Sequence, residues 1–207
     1  MLEPLLSQLN SMRVVLASSS KQRANLLSSM KLKFDIVSSD YEENLNPRDH
    51  TFSDFVEKTA LGKLNDVHEK LKTDSRPPDL IIASDTMVTC NGKMYGKPRT
   101  KEEAIATITD LTQQDLPNSV YTGVVIWYKN KIHKFTEVTT VYMAPLTDKE
   151  ILSYVETGEP MGKAGGYGIQ GLASTFVTRI EGDFNNVIGL PLCRLAFTLK
   201  RIVTGST

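Results

Sequence analysis

The sequence predicts an α/β fold built on a mixed β-sheet flanked by helices. Short apolar runs that read as buried strands alternate with segments of helical periodicity over the first hundred residues. Asn91-Gly92 then marks a tight β-hairpin turn, and a longer hairpin pattern follows between 120 and 143.

The elements follow in order. Leucines 2, 5, 6 and 9 of MLEPLLSQLNSM stand at helical spacing. With an acid and no basic residue among them, they predict a short helix packed on the body rather than a signal or transit peptide. Val14–Ala17 is an apolar strand that stops at three serines, and a helix is expected from about Lys21 to Met30. Phe34–Val37 reads as a strand, and the acidic stretch Ser38–Asp54 as a loop. A long helix runs from about Phe52 to Leu71, with Val56, Ala60, Leu64 and Val67 on one face and Lys63 on the polar side. Leu80–Ala83 is a buried strand, and Asn91-Gly92 joins Met87–Cys90 to Lys93–Tyr95. Thr100 and Thr147 read as N-caps, each with a glutamate three residues on, at Glu103 and Glu150, to complete a capping box. Between those helices, Val120–Tyr128 and Ile132–Met143 form a hairpin around Lys129-Asn130-Lys131. A glycine-rich segment fills 158–171, Phe176–Ile180 reads as a strand, and Pro191 stands in the first turn of a last helix.

The 207 residues read as a single domain, with residues 1–12 as an N-terminal extension. Twenty-four basic residues balance 24 acidic ones, so no long-range field draws this protein to nucleic acid or to a membrane surface. No run approaches the roughly 18 apolar residues that span a bilayer. Cys90 and Cys193 are too few for a disulfide framework and read as buried thiols in a reducing, cytoplasmic setting.

Three places set polar groups at the end of an apolar strand or in a flexible loop. In Leu16-Ala17-Ser18-Ser19-Ser20-Lys21-Gln22-Arg23, hydroxyls and cations sit at a predicted helix N-terminus. That arrangement suits an oxyanion such as phosphate, or it is simple serine capping. In Ile81-Ile82-Ala83-Ser84-Asp85-Thr86, an acid follows a strand, where it could bind a metal, deprotonate a water or cap a turn. Lys97 comes just after the first hairpin. In the third place, residues 158–171, glycines allow close backbone approach; Tyr167 offers a stacking face and Gln170 a paired donor and acceptor for a base edge. The three histidines are scattered, Ser18 and Ser20 have no evident base, and the pattern GxxxxGK[ST] is absent.

Together the motifs LASSSKQR, ALGK, SDT, GKP, YTGV, GEPMGKAGGYGIQG and IEGDFNNVIGLP, in this order from Val14 to Leu199, resemble the Maf family of nucleoside triphosphate pyrophosphatases. The resemblance implies an elongated, two-lobed Maf/ITPase-like fold with a deep central cleft, often a homodimer. It also implies hydrolysis of a nucleoside triphosphate between the α- and β-phosphorus, assisted by a divalent metal, Mg²⁺ or Mn²⁺. Position by position, Asp85 and Lys63 match catalytic residues, Asp85 as general base or metal ligand. Ser18, Ser20, Arg23, Lys97 and Lys163 match phosphate-binding positions, and Gln22, Thr86 and Gln170 match specificity positions. Glu42, of the pair Glu42-Glu43, joins Asp85 as a candidate metal ligand. Gln170 within KAGGYGIQ fits the branch acting on dTTP and UTP, with modified pyrimidine nucleotides as further substrates in a house-cleaning role.

Several positions depart from the family pattern. Where the family reads S-P-R-R, this chain has Ser20-Lys21-Gln22-Arg23, so a glutamine stands where a rigid, charged arginine fork is usual. The family's histidine before YTGV is replaced around Asn118-Ser119, and the acid before KAG is Gly162. These changes keep two alternatives open: a nucleotide-binding regulator with little turnover, or a pyrophosphatase of shifted base specificity, such as for 7-methylguanosine triphosphate.

Overall fold

A computed structural model describes residues 1–205. In chain order it contains a 3-10 turn (Glu3–Leu5), α1 (Leu6–Ser11), β1 (Val14–Ala17), α2 (Lys21–Ser29), β2 (Asp35–Ile36), a 3-10 turn (Pro47–Asp49), α3 (Phe52–Leu71) and β3 (Leu80–Cys90). There follow β4 (Lys93–Tyr95), α4 (Lys101–Thr112), β5 (Asn118–Tyr128), β6 (Lys131–Met143), α5 (Asp148–Glu156), β7 (Val177–Glu181), α6 (Phe184–Ile188) and α7 (Leu192–Thr204). The strands form one mixed sheet in the order β2-β1-β3-β5-β6-β7, with β4 paired to β3. Pairing is parallel from β2 through β1 to β3 and antiparallel at β3–β4 and β6–β7. No helix among the described residues is long and apolar enough to cross a membrane.

The chain gathers into two compact units. The first comprises Met1–Asp85, Thr122–Glu137 and the described residues from Gly189 onward. Its core lies under α3, where Val15, Ala17, Ala60, Leu64, Val67, Ile81, Ala83 and Val125 pack together. Each fully buried valine, leucine or isoleucine there contributes about 1.5–3 kcal/mol against its exposed state. Strand β5 meets α3 through bare backbone. A Cβ on Gly123, the glycine of YTGV, would lie 2.6 Å from the Val56 carbonyl carbon and 2.7 Å from the Glu57 nitrogen. The second unit, Thr86–Tyr121 and Val138–Ile188, has its own core around Val88, Ile108, Leu111, Val141, Ile151 and Phe176.

Several boundaries differ from the sequence reading. Asp85 does not follow a strand; it lies inside β3, which runs unbroken from Leu80 to Cys90 because backbone pairing outweighs the break in hydrophobic pattern. The strand expected over Phe34–Val37 shrinks to Asp35–Ile36. The second hairpin turns on two residues, Lys129 and Asn130, with φ of 49° and 59°, so Lys131 belongs to the strand. Thr147 and Glu150 form a full capping box, whereas the Glu103 carboxylate takes the Arg99 N–H and leaves the box at Thr100 half made. Pro191 is the N-cap of α7 rather than a residue of its first turn. Cys90 is buried as expected, but Cys193 is exposed on α7.

Candidate active site

In the first unit, helix α3 packs against the opening half of β3, Leu80–Asp85. Ile81 and Ala83 face α3, so Asp85, two residues further along the pleat, points the same way. On α3, Lys63 is seven residues, or two turns, beyond Val56, on the side packed against β5. It is therefore not on the polar face: its side chain is 15% exposed, and its ammonium lies 2.7 Å from Asp85 Oδ1, itself a nearly buried carboxylate. The same ammonium lies 2.7 Å from Glu43 Oε1. The Lys63–Asp85 pair is nearly buried and binds each partner's fate to the other, because a lone buried charge costs about 3–5 kcal/mol, whereas the Glu43 side chain stays 55% exposed.

Glu43 arrives there because the acidic loop after β2 is tied back onto α3. Asp66 accepts from the Ser39 hydroxyl at 3.0 Å and the Asp40 N–H at 2.8 Å, and Lys70 bridges Asp40 and Asp66. The Lys70 bond holds the Asp66 carboxyl below its ordinary range. The Tyr41 ring then lies directly over Gly62, where any Cβ would overlap it, which accounts for the glycine of ALGK.

The serine turn supplies a second cation. Arg23 is buried; its Nε donates to the Gly189 carbonyl at 3.0 Å, and an Nη1 contact reaches the Ser18 hydroxyl at 3.4 Å. Burial pulls the guanidinium below its ordinary value, opposed by the charges of Asp85 and Glu43. Ser18 Oγ also accepts the Ser20 N–H at 3.2 Å. Ser20 is the N-cap of α2, accepting from Arg23 N and donating to Gln22 Oε1 at 3.2 Å, while Lys21 and Gln22 are exposed. Lys63 and Arg23 thus balance Asp85 and Glu43, a cluster of near-zero net charge.

Its carboxylates suit a hard divalent cation, which takes one or two such oxygens together with substrate phosphates. Among the described residues no group of three or more His, Cys, Asp or Glu is gathered for a metal. Both acids of the pair are exposed, but it is Glu43 and not Glu42 whose carboxylate stands with Asp85 at the Lys63 ammonium.

In the second unit, Thr86 follows Asp85 on β3, Lys97 is exposed after β4, and Gln170 is exposed near the end of the glycine loop. Gly165 and Gly166 adopt φ of 69° and 67°, and the Gly165 N–H donates to the Gly96 carbonyl at 3.0 Å. That bond fastens the loop to the segment carrying Lys97. The Lys163 ammonium donates to the Glu159 carbonyl. Tyr167 offers no stacking face. It is buried, its hydroxyl donates to Asn118 Oδ1 at 2.9 Å, and burial pushes its phenol well above the ordinary range. Asn118 in turn donates to the Val141 carbonyl at 3.1 Å, so the residue replacing a histidine is a fully buried cross-link. The late motif GDFNN is also architectural: Asp183 caps α6, and Asn186 Nδ2 donates to the Val120 carbonyl and to Thr139 Oγ1 at 3.0 Å each.

The family model described as Maf-like protein matches residues 13–202. The chain belongs to the Maf-like family. Among its relatives, a dTTP/UTP pyrophosphatase of Clostridium botulinum (strain Alaska E43 / Type E3) is 41% identical over 194 residues, covering 93% of this chain and 100% of that protein. One of the same name from Alkaliphilus metalliredigens (strain QYMF) is 41% identical, covering 91% and 95%; another from Geobacillus sp. (strain WCH70) is 40% identical, covering 92% and 98%. Among solved structures, the Staphylococcus aureus Ham1 protein aligns with a TM-score of 0.46 at 14% identity, over 64% of this chain and 72% of that one. Within this Maf-like chain the structure joins Asp85, Lys63, Arg23 and Ser18 in one unit, and Lys163 with the glycine loop in the other. Glu43 and Glu159 have roles that spacing alone did not reveal. The only advance signal for Glu43 was its place in an acidic pair.

Proposed function

We propose that this Maf-like protein hydrolyses dTTP and UTP to the monophosphate and pyrophosphate. The observation that carries the reading is the Lys63 ammonium set 2.7 Å from both Asp85 and Glu43. Relatives about 40% identical over nearly the whole chain, named as dTTP/UTP pyrophosphatases, support the substrate.

Water attacks the α-phosphorus, and the pyrophosphate leaves. Asp85 takes the water's proton; Lys63 occupies Oδ1, so Oδ2 is the atom assigned to accept it. Lys63 and Arg23 offset charge that builds on the phosphate oxygens in the transition state. Ser18, held against Arg23, and Ser20 at the α2 N-terminus are assigned to the phosphates, as are Lys97 and Lys163. Thr86, Gln170 and Gln22 are assigned to choice of the base. Asp85 and Glu43 would hold a divalent cation, Mg²⁺ or Mn²⁺, which when bound neutralises phosphate oxygens and acidifies a water. The enzyme is expected in the cytosol and as a homodimer.

One observation favours shifted specificity as a second reading: Gln22 is an exposed neutral residue in the first turn of α2, where its Oε1 accepts from the neighbouring Ser20 hydroxyl. Pyrophosphate release from a panel of canonical, methylated and pseudouridine triphosphates separates the two. The first reading expects dTTP and UTP to lead; release from another base alone would establish the second. Tight nucleotide binding without release from any member would contradict both.

A further inference from the structure

Glu159 has no part in the chemistry above, yet donors from three residues converge on its carboxylate. The Leu172 N–H reaches Oε2 at 2.8 Å, the Ala173 N–H reaches Oε1 at 3.1 Å, and the Tyr154 hydroxyl reaches Oε1 at 3.0 Å. Leu172 and Ala173 open a 3-10 turn (Leu172–Thr175) whose N-cap, Gly171, has no side chain to satisfy them. A glutamate more than ten residues upstream does so instead. Residues 160–171 are thereby closed into a loop tied at both ends by one side chain, with Lys163 and Gln170 inside it.

The glycines of that loop are shaped to the same tether. A Cβ on Gly171 would overlap the Glu159 carboxylate, and one on Gly168 would lie 2.9 Å from Lys163 Cε and 3.5 Å from Glu159 Oε1. The Lys163 ammonium is held by the Glu159 carbonyl. Burial, and then the Glu159 charge, push the Tyr154 phenol up, so it remains a donor across the ordinary pH range.

We infer that Glu159 is a positioning residue that holds Lys163 and Gln170 in register for the nucleotide and so sets selectivity among triphosphates. The inference rests on the pyrophosphatase reading above. Glutamine in its place has one acceptor oxygen and turns an NH₂ toward a backbone donor. Glu159→Gln is therefore expected to raise KM for dTTP about tenfold with kcat within about twofold, the pattern of lost ground-state positioning. The preference for dTTP over dGTP in kcat/KM should fall by about tenfold.

Tyr154→Phe separates positioning from mere stability, since it removes one donor and leaves both backbone bonds. It should lower Tm and spare the preference. If preference falls in step with Tm in both variants, Glu159 only stabilises the fold and the inference is overturned. Amide hydrogen exchange at Leu172 and Ala173 needs no substrate. It should quicken about tenfold in Glu159→Gln, whose remaining acceptor cannot serve both amides. Unchanged exchange removes the tether even in an active enzyme. Wild-type protein releasing no pyrophosphate would instead remove the reading on which selectivity rests, with the exchange result standing apart. Should Glu159→Gln not fold, Glu159→Asp, one methylene too short to serve both amides, carries the same measurements and the same expectations.

Discussion

The cluster at Lys63 and the glycine loop at Glu159 solve opposite problems. At Lys63, charged side chains carried by a helix, a strand and a tied-back loop meet one another: Asp85 and Glu43 share one ammonium, with buried Arg23 beside them. At the glycine loop, one carboxylate collects backbone N–H groups, and the absence of side chains makes the room. The first arrangement suits chemistry, because opposite charges fixed around the nearly buried Lys63–Asp85 pair are preorganised for charge that moves during reaction. The second suits recognition, since its backbone shape positions whatever the loop presents. Substitutions in the first region should therefore change kcat, and those in the second KM and preference.

Asp85→Asn should test that division most severely. Removal of a general base costs about 10²–10⁴-fold in rate, so kcat on dTTP should fall within that range while nucleotide affinity holds within a few fold. A near-normal rate would take the base role from Asp85. Lys63→Met comes next: loss of one preorganised cation should cost about 10²–10³-fold in kcat. It also leaves Asp85 and Glu43 without their shared partner, so Tm should fall as well. If only KM rises, Lys63 belongs to binding alone.

Gly123→Ala acts without touching a charge. Its Cβ would press on the Val56 backbone two turns before Lys63, and overpacking of this kind costs about 1–3 kcal/mol. In a chain of this size that is roughly 2–12 °C in Tm. Calorimetry showing no loss would mean that α3 does not lie on β5 as described. The smallest effect is expected at Ser84, whose fully buried hydroxyl has no partner among the described residues. Ser84→Ala should leave kcat alone and hold Tm or raise it slightly, a stability gain of about 0–1 kcal/mol. A clear loss of stability would reveal a partner for that hydroxyl.

Much of the framework was legible in the chain. The apolar face of α3, the Asn91-Gly92 turn and the Thr147 capping box follow from local physics, and the structure contains all three. Asp85 and Lys63 were legible through the motifs around them, but their bond was not. A lysine at the edge of an apolar stripe looks solvated until a carboxylate is placed opposite, and that placement depends on packing between residues 22 apart. Glu43 was hidden for the same reason, since the ties from Asp66 and Lys70 decide which acid of the pair reaches Lys63. Tyr167 misled because a tyrosine among glycines looks available to a ligand, whereas its partner Asn118 lies 49 residues away. The short helix α6 passed unnoticed because its start depends on the Asp183 carboxylate rather than on hydrophobic period.

The most direct test of the central claim is product analysis by phosphorus NMR, with dTTP and the wild-type protein in the presence of Mg²⁺. Cleavage governed by Asp85 and Lys63 at the α-phosphorus predicts dTMP and pyrophosphate in equal amounts, both missing with Asp85→Asn. Formation of dTDP and orthophosphate, or equal turnover by the variant, would contradict it.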